Sequence, residues 1–159
     1  MNAFPSEENQ FHHEHVALLL SSYQRWIGKN LLDAEPSEPA AIAKQLFESP
    51  FVVVSHDVSA DPVFNYGNHA ALELFEMDWQ DFTALPSRKS AEPMNRDERA
   101  RLLATVAAQN YIDDYSGVRI SSQGKRFHIP QATVWNVVDD RGTYRGQAAT
   151  FSEWKFLEP

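Results

Sequence analysis

The sequence of 159 residues has 43% hydrophobic residues and a net charge of −8, which fits one domain with a single core. Its acidic surface repels phosphate backbones, which excludes general nucleic-acid binding, and no apolar run reaches the length of a membrane span. The lack of cysteine excludes disulfides and thiolate chemistry, and since the first residues lack signal-peptide features we expect a cytoplasmic protein.

The N-terminal part is predicted to contain a tail and a helix. Residues 1–9 are polar and are expected to form a flexible tail. Apolar side chains recur at helical spacing within residues 10–27, and Gly28 is typical of a helix end. The apolar content of this helix exceeds what the cover of a sheet needs, so we expect the helix to support a homodimer.

A second helix and a buried strand are predicted to follow. Ser37 is expected to cap the second helix, which ends before Pro50. The continuous β-prone run over residues 51–54 is typical of a strand that is buried on both faces. We therefore predict a helical extension over residues 10–49 and a main domain over residues 50–156.

The stretch of residues 61–75 predicts a strand, a tight turn and a capped helix. Gly67 is expected to adopt a backbone angle that other residues resist, and Asn68 is expected to cap the helix through its side chain. Residues 77–82 predict a short helical turn, and residues 83–95 predict a loop. This order of elements resembles the start of a PAS domain, in which a strand and an Asn-capped helix lie over a ligand pocket.

The C-terminal half is predicted to form one long helix and three strands. Asn95 has capping-box spacing to Glu98 at the start of that helix. Three β-prone runs follow over residues 112–121, 126–138 and 143–154, and turn sequences separate them. This order predicts an α+β fold with a PAS-like five-stranded antiparallel sheet, helices on one side and a meander of the last three strands.

Several sequence blocks carry a resemblance to a known protein family. They cover residues 65–68, 74–79, 85–88, 91–94, 96–103, 112–121 and 132–136. These blocks are similar to the MEKHLA family, which is PAS-like and occurs as small bacterial proteins and at the C-terminus of plant class III homeodomain–leucine-zipper factors. The resemblance covers nearly the whole chain after residue 10 and implies a sensory or ligand-binding role without a settled ligand.

The segment Pro86-Ser87-Arg88 is similar, more distantly, to flavin-binding LOV domains, a PAS subgroup. LOV domains place an Asn-Cys-Arg tripeptide near the pocket helix, where the Cys bonds to flavin under light and the Arg meets the flavin phosphate. Ser87 replaces that Cys, which excludes cysteinyl photochemistry, and Arg88 is the implied contact for an anion. The last strand carries Gln147 one place before the LOV glutamine, whose position Ala148 occupies. The cofactor is therefore unassigned, with flavin as the candidate that the resemblance implies.

A ligand pocket is predicted between the sheet and the helix at residues 95–109. Asp114 and Ser116 alternate with apolar residues and are expected to face this interior, unless a bulge at Gly117 turns both outward. The next strand is expected to present one face inward and to have the other covered by the helix at residues 10–27. The predicted ligand-binding residues are Ser87, Arg88, Asp114, Ser116, Phe127, Ile129, Trp135 and Asn136, and the predicted apolar wall adds Val52, Val54, Ile112 and Val118.

Histidines offer one candidate metal cluster. Glu8, His12 and His15 share a face of the predicted helix, but the fourth ligand that zinc prefers is not evident in the sequence, so we expect no metal site. The histidines later in the chain are isolated from one another. Among them, His69 is the residue that we would test as an axial haem ligand.

The sequence supports three functional hypotheses. The first is a non-catalytic sensory or small-molecule-binding domain that signals through contacts with a protein partner, without nucleic acid or membrane. The second is a small isomerase-like enzyme on an α+β fold that uses Asp114 with Tyr115 in an apolar pocket. The third is a ligand-free interaction module with a filled core. We favour the first, with an unidentified small molecule as the ligand.

Overall fold

The structure, a computed structural model, describes residues 3–33 and 38–158. Ser37, the expected cap of the second helix, lies outside the described residues. In chain order the elements are α1 (His13–Ile27), α2 (Pro39–Glu48), β1 (Val52–His56), β2 (Phe64–Gly67), α3 (His69–Phe75), α4 (Trp79–Phe82), α5 (Arg96–Gln109), β3 (Tyr111–Ile120), β4 (Arg126–Val138), β5 (Tyr144–Phe151) and β6 (Lys155–Phe156).

The strands form one antiparallel sheet in the order β2-β1-β5-β4-β3. β3, β4 and β5 make the predicted meander, and β1 inserts beside β5 to complete the five-stranded sheet. The short strand β6 is not predicted from the sequence, and it pairs with the start of β4. The predicted α+β fold is confirmed, and the sheet has an inner face toward α5 and an outer face toward α1.

The side chain of Asn68 fixes the start of α3, as predicted, and also joins three elements. Its Oδ1 accepts hydrogen bonds from the backbone N–H groups of Ala71 (3.2 Å) and Val53 (3.0 Å). Its Nδ2 donates to the carbonyl oxygens of Leu46 (3.1 Å) and Phe51 (2.8 Å). This fully buried amide therefore satisfies backbone groups of α2, β1 and α3 at one point.

Position 67 requires glycine because a larger side chain would not fit there, and not because of its backbone conformation. Its φ angle is not among the positive values of the described chain, so the predicted unusual backbone angle is wrong. A Cβ atom at this position would lie 2.7 Å from Cε2 of Phe82. The absent side chain lets the ring of Phe82 pack against the end of β2, where it stacks on Phe64 with 4.3 Å between ring centroids.

The start of α5 differs from the predicted capping box. Asn95 has helical backbone angles and makes no side-chain cap hydrogen bond. Residues Pro93–Asn95 instead form a 3-10 turn that leads directly into Arg96. The helical turn before α5 therefore takes the place of a side-chain cap.

α1 covers the outer face of the sheet, as predicted. The indole N–H of Trp135 donates to the carbonyl oxygen of Leu19 (3.2 Å), and its ring packs edge-on against Tyr23 with 5.0 Å between centroids. Ser22 Oγ donates to the carbonyl oxygen of Val138 (3.0 Å) and accepts from the backbone N–H of the same residue (2.8 Å). These bonds fix both the position and the rotation of α1 on the sheet.

The segment before α1 contacts α2, although the sequence predicted a flexible tail. The ring of Phe4 packs edge-on against Phe47 with 5.4 Å between centroids. Lys44 Nζ lies 3.4 Å from a carboxylate oxygen of Glu7. The division into a tail, a helical extension and a main domain stays a prediction.

A bulge in β4 changes which of its residues face inward. The pairing of β4 with β3 shifts between Ile129 and Ala132, so that one extra residue of β4 lies between them. Pro130 falls in this interval and has no backbone N–H for the ladder, which suits a bulge. Ala132 and Val134 therefore join Ile129 on the inner face, and Trp135 lies on the outer face. The prediction that Trp135 shares a face with Ile129 is wrong, because it assumed unbroken alternation.

A matching irregularity in β3 turns two predicted pocket residues outward. Ile112 pairs with Val134, whereas Tyr115 pairs with Ala132, so β3 carries an extra residue between them. Tyr115 is buried, and Asp114 and Ser116 are exposed. The prediction that Asp114 and Ser116 face the interior is wrong. Both residues turn outward, as the alternative predicted, but the extra residue of β3 lies at 113–114 and not at Gly117.

Candidate ligand cavity beneath α5

A cavity of about 80 Å³ lies between the inner face of the sheet and α5. Its apolar wall includes Val54, Phe64, Phe75, Leu102, Ile129, Val134 and Ala149. Its polar wall includes His56, Ser90, Arg99, Tyr115, Arg119 and Gln147. The volume is below the roughly 300–1,000 Å³ of pockets for drug-sized ligands, so only a small molecule fits without movement of the wall.

Two buried arginines are the main electrostatic feature of the cavity. Arg99 on α5 and Arg119 on β3 are each 8% exposed. Arg99 donates a hydrogen bond to Ser87 Oγ, and Arg119 donates to the carbonyl oxygen of Val118 (2.8 Å). Within the described part of the chain, neither guanidinium forms an ion pair with a carboxylate. Two positive charges therefore face one cavity without a directly paired carboxylate, an arrangement that burial makes costly.

The electrostatic environment of Arg99 reflects this arrangement. Burial, and after it the positive charge of Arg119, lower the pKa of Arg99 to about 10, while Tyr115 and Asp61 partly oppose the shift. Arginine nevertheless stays protonated near neutral pH. The cavity therefore holds two cations at neutral pH, and the folded chain pays a desolvation cost for them that a bound anion would reduce.

Tyr115 holds the guanidinium of Arg119 in place. Cζ of Arg119 lies 5.3 Å from the ring centroid of Tyr115, which is a cation–π distance. The Tyr115 hydroxyl donates to a carboxylate oxygen of Glu98 (3.2 Å). The intervening Gly117 leaves room for the ring, because a Cβ atom there would overlap the Tyr115 hydroxyl. These contacts fix the orientation of the Arg119 side chain and thereby one side of the cavity wall.

Two side-chain amides tie α5 to the sheet beside the cavity. Asn136 Nδ2 donates to the carbonyl oxygen of Val106 (3.1 Å). Gln147 Nε2 donates to the carbonyl oxygen of Leu103 (3.1 Å) and to Oδ1 of Asn136 (3.1 Å). The two amides thus bind carbonyl groups of the last turns of α5, and these interactions hold the helix close to the sheet.

The apolar contact of α5 with the rest of the domain is small. Its buried residues are Arg99, Leu102 and Val106, and one of these three is a cation. α1 buries Val16, Leu19 and Tyr23 by comparison, together with Ser22, whose polar atom is satisfied. α5 is therefore the less firmly packed of the two covering helices.

A comparison of the sequence with models of known protein families identifies the family of this chain. The model of the MEKHLA domain matches residues 13–156, which is most of the chain. The chain belongs to the MEKHLA family. The match includes α1, all six strands and α5, so the cavity described above lies wholly within the MEKHLA domain.

Relatives of this MEKHLA domain include plant proteins. Homeobox-leucine zipper protein ATHB-9 of Arabidopsis thaliana is 27% identical over 146 residues, which cover 89% of this chain and 17% of that protein. Homeobox-leucine zipper protein HOX29 of Oryza sativa subsp. indica is 26% identical over 143 residues, with 87% and 16% covered. The chain spans about one sixth of the length of these curated relatives.

Solved structures similar to this MEKHLA domain have the PAS fold. The PAS domain of a protein from Colwellia psychrerythraea matches with a TM-score of 0.61 and 11% identity, covering 74% of this chain and 94% of that one. A light-oxygen-voltage domain studied with a flavin analogue gives 0.58 and 12%, covering 74% and 85%. The fungal blue-light photoreceptor Vivid, in its light-state dimer, gives 0.56 and 15%, covering 84% and 93%. At these identities the similarity establishes the PAS-like fold.

Ser87 and Arg88, in the LOV-like segment of this MEKHLA domain, lie in two different environments. Ser87 is buried and accepts the hydrogen bond from Arg99. Arg88 is exposed and forms an ion pair with Asp61 at 3.0 Å. Ser87 therefore contacts the cavity residue Arg99 without lining the cavity itself, and the structure does not bring Arg88 to the cavity.

The cavity does not fit the flavin that the LOV similarity implied. A cavity of about 150 Å³ holds one benzene ring, and the flavin isoalloxazine has three fused rings. Gln147 faces α5, and its neighbour Ala148 pairs with Ser55 and Trp135 on the other face of the sheet. A flavin would require α5 to move away from the sheet.

The remaining predicted ligand residues have other surroundings. Ile129 lines the cavity, as predicted, whereas Phe127 packs edge-on against Phe75 with 5.4 Å between centroids. Trp135 contacts α1, and the amide of Asn136 binds α5. Of the predicted apolar wall, Val54 lines the cavity, and Val52, Ile112 and Val118 are not among its lining residues. The sequence missed Arg99 and Arg119 because arginines in a helix and a strand are usually solvated.

The histidines proposed as metal or haem ligands have other partners. The ring of His12 stacks on Trp79 with 5.4 Å between centroids, and His15 Nε2 is 2.9 Å from Ser55 Oγ. His69 is exposed and lies 3.4 Å from a carboxylate oxygen of Glu73. Within residues 3–33 and 38–158, no group of three or more His, Asp or Glu side chains is arranged to hold a metal ion.

A membrane-spanning helix is also not found. None of the helices within the described ranges has both the length and the apolar content that crossing a bilayer requires. The longest of them, α1, has 15 residues and carries polar groups on its exposed side.

Proposed function

We propose that this MEKHLA domain is a non-catalytic PAS-like sensor that binds a small molecule in the cavity beneath α5. The proposal rests on one observation: a largely apolar cavity, lined by two arginines without an ion-paired carboxylate in the described residues, lies under the less firmly packed helix. Occupied and empty cavities would differ in the position or mobility of α5. A protein partner that contacts α5 would then recognise one of the two states.

The isomerase hypothesis has less support than the sensor. It required a carboxylate deep in an apolar pocket, and its candidate Asp114 is exposed. The residues that line the cavity in the described structure include neither Asp nor Glu. A general base at the cavity would have to come from His56, whose pKa is lowered by burial first and by the charge of Arg99.

The interaction-module hypothesis is the second candidate, because the cavity is small. About 80 Å³ is also compatible with a few buried waters in a domain that works only through its surface. The two candidates differ in one measurable respect. Only the sensor requires that a small molecule stabilise the folded domain.

A cavity-filling variant separates the two candidates. Ala149 lies on the inner face, where it pairs with Val54 and Val134 of the cavity wall. Ala149→Leu would fill the cavity, and Ala104→Leu adds the same atoms on the exposed side of α5. Purified wild type and both variants would be studied by native mass spectrometry for a co-purifying small molecule. A fragment collection screened by thermal unfolding would follow.

The sensor predicts a bound mass or a stabilising fragment for wild type and Ala104→Leu, and its loss in Ala149→Leu. If neither is found with any of the three proteins, the interaction module is the better account. An absorption spectrum of the same samples tests flavin, since a bound flavin would make the protein yellow. A colourless protein agrees with the size of the cavity.

The oligomeric state and cellular location belong to the same proposal. We propose a homodimer in which α1 contributes the face that does not pack on the sheet, including the exposed Ala17. Ala17→Arg would then give a folded monomer by light scattering, whereas an unchanged dimer would exclude this face. A cytoplasmic location stays a prediction from the lack of cysteine.

A further inference from the structure

We infer that the cavity binds a small carboxylate, which Arg99 and Arg119 recognise together. The inference rests on the proposed ligand-binding function and specifies the chemical class of the ligand. It begins from charge: two cations, each 8% exposed, face a cavity to which the described chain contributes no carboxylate. Buried charges in proteins are normally paired, so the missing partner is an anion from solution.

The hydrogen-bonding capacity of the two guanidinium groups supports the same conclusion. Each guanidinium has five N–H donors in a planar fork that matches a carboxylate. Arg99 uses one contact for Ser87, and Arg119 is held by Val118 and the ring of Tyr115. In the described residues, neither guanidinium has a carboxylate among its partners, so donors remain for an anion. Because both groups are already positioned, little side-chain entropy is lost when an anion binds.

The rest of the cavity wall distinguishes a carboxylate from phosphate or sulfate. Apart from its polar residues, the cavity wall is apolar and includes Val54, Leu102 and Ile129. A short alkyl chain would bury against these side chains while the carboxylate meets the guanidinium groups. A phosphate would meet the same donors, but it has no alkyl chain, so the apolar wall would stay unfilled. The volume is about half that of a cavity that binds benzene, which favours roughly two to four carbons.

The test is a titration of the whole domain at pH 7 by calorimetry. The probes are acetate, propionate and butyrate, the uncharged butyramide as the matched neutral molecule, and inorganic phosphate. Arg119→Met removes one cation. Arg101→Met makes the same substitution at an exposed position of α5 and is the matched control. Arg119→Lys keeps the charge without the fork and replaces the methionine variant if that variant does not fold.

The expected result is binding of propionate or butyrate that is at least tenfold tighter than that of butyramide and phosphate. Arg119→Met should weaken carboxylate binding at least tenfold, and Arg119→Lys should weaken it by a smaller factor. Arg101→Met should stay within twofold of wild type. Circular dichroism and the unfolding temperature confirm that each variant is folded.

Three results overturn the inference and leave the proposed function standing. One is equal affinity for butyrate and butyramide. Another is no binding of the carboxylates by a protein for which the fragment collection identifies a neutral ligand that Ala149→Leu excludes. The third is tight binding of phosphate alone, which would replace the carboxylate by another anion class. If neither carboxylates nor fragments bind, both the inference and the sensor function fail.

Discussion

The two faces of the sheet are covered in different ways. On the outer face, α1 contributes fully buried side chains, and polar atoms of Ser22 and Trp135 bond backbone groups of the neighbouring element. On the inner face, α5 contributes few apolar contacts over a cavity that Arg99 and Arg119 border. A core whose polar atoms are all bonded needs no ligand, whereas buried arginines without an ion-paired carboxylate would interact favourably with a bound anion. The comparison supports the view that the outer face stabilises the fold, whereas the inner face binds a ligand.

The same substitution on the two helices tests this difference most strongly. Leu19 on α1 is fully buried in the outer core, and Leu102 on α5 lines the cavity. Leu19→Ala should lower the free energy of unfolding by about 4 kcal/mol, because it creates a new cavity in close-packed surroundings. Leu102→Ala should cost about 2 kcal/mol, because its methyl groups already border empty space. Urea unfolding measures both, and equal costs would contradict the comparison.

The contact between α1 and β1 gives the outer face a pH dependence. His15 bonds Ser55, and burial, followed by the charge of His12, lowers the pKa of His15 from 6.5 to about 4. Between these pH values the unfolded chain binds a proton that the folded chain does not. The free energy of unfolding should therefore fall by about 2 kcal/mol as the pH is lowered from 7 to 4.5.

The variant His15→Gln isolates this contribution. Glutamine can bond Ser55 but does not titrate, so the variant should lose about 2 kcal/mol less stability than wild type over the same pH interval. His56 also has a lowered pKa, and its contribution is present in both proteins and cancels in the difference. Parallel pH dependences of wild type and variant, measured by urea unfolding, would exclude His15 as the source.

Removal of a cation from the inner face should raise the free energy of unfolding, whereas the changes described above lower it. Arg99→Met in the absence of carboxylates should raise the free energy of unfolding by about 1 kcal/mol, because it replaces a buried unpaired charge by an apolar chain. Arg101→Met, at an exposed position of the same helix, should change it by less than about 0.5 kcal/mol. Thermal and urea unfolding provide the comparison. A clear loss of stability in Arg99→Met would show that this arginine is a structural residue rather than a ligand contact.

The smallest effect is expected at the surface. Arg88 was the sequence-based candidate for an anion contact, but its ion pair with Asp61 is exposed. Arg88→Ala should change the free energy of unfolding by less than about 0.5 kcal/mol and leave the affinity for butyrate unchanged. Weaker butyrate binding in the calorimetric titration would show that Arg88 contributes to the binding site.

The parts of the fold that the sequence predicted depend on short-range rules. Asn68 caps α3 because an Asx side chain at that position reaches the free N–H groups of the next turn. The three C-terminal strands and their turns follow from β-prone runs that turn residues separate. These rules involve neighbours along the chain, so they need no knowledge of tertiary packing.

The inward-facing residues of β3 and β4 could not be predicted in the same way. Side chains alternate with a period of two, so one extra residue exchanges the faces of everything beyond it. Pro130 is visible in the sequence as a disruption, but the exact register depends on how β4 pairs with β3. The periodicity of the sequence alone therefore places Trp135 and Asp114 in the wrong surroundings.

The two cavity arginines were missed for a related reason. Arg99 lies among several charged residues at the start of α5, and Arg119 lies among polar and apolar residues of β3. Their burial results from the docking of α5 over the bulged strands, which is a tertiary effect. The one local sign was Gly117, which makes room for the ring that supports Arg119.

Hydrogen–deuterium exchange of α1 and α5, with and without butyrate, tests the central claim most directly. The account predicts that amides of residues 96–109 exchange through local opening, faster than the protected amides of residues 16–27, in the protein alone. Saturating butyrate should slow exchange in α5 and leave α1 almost unchanged. Equal protection of the two helices, with no response of α5 to butyrate or to any fragment that binds, would contradict a ligand-dependent inner face.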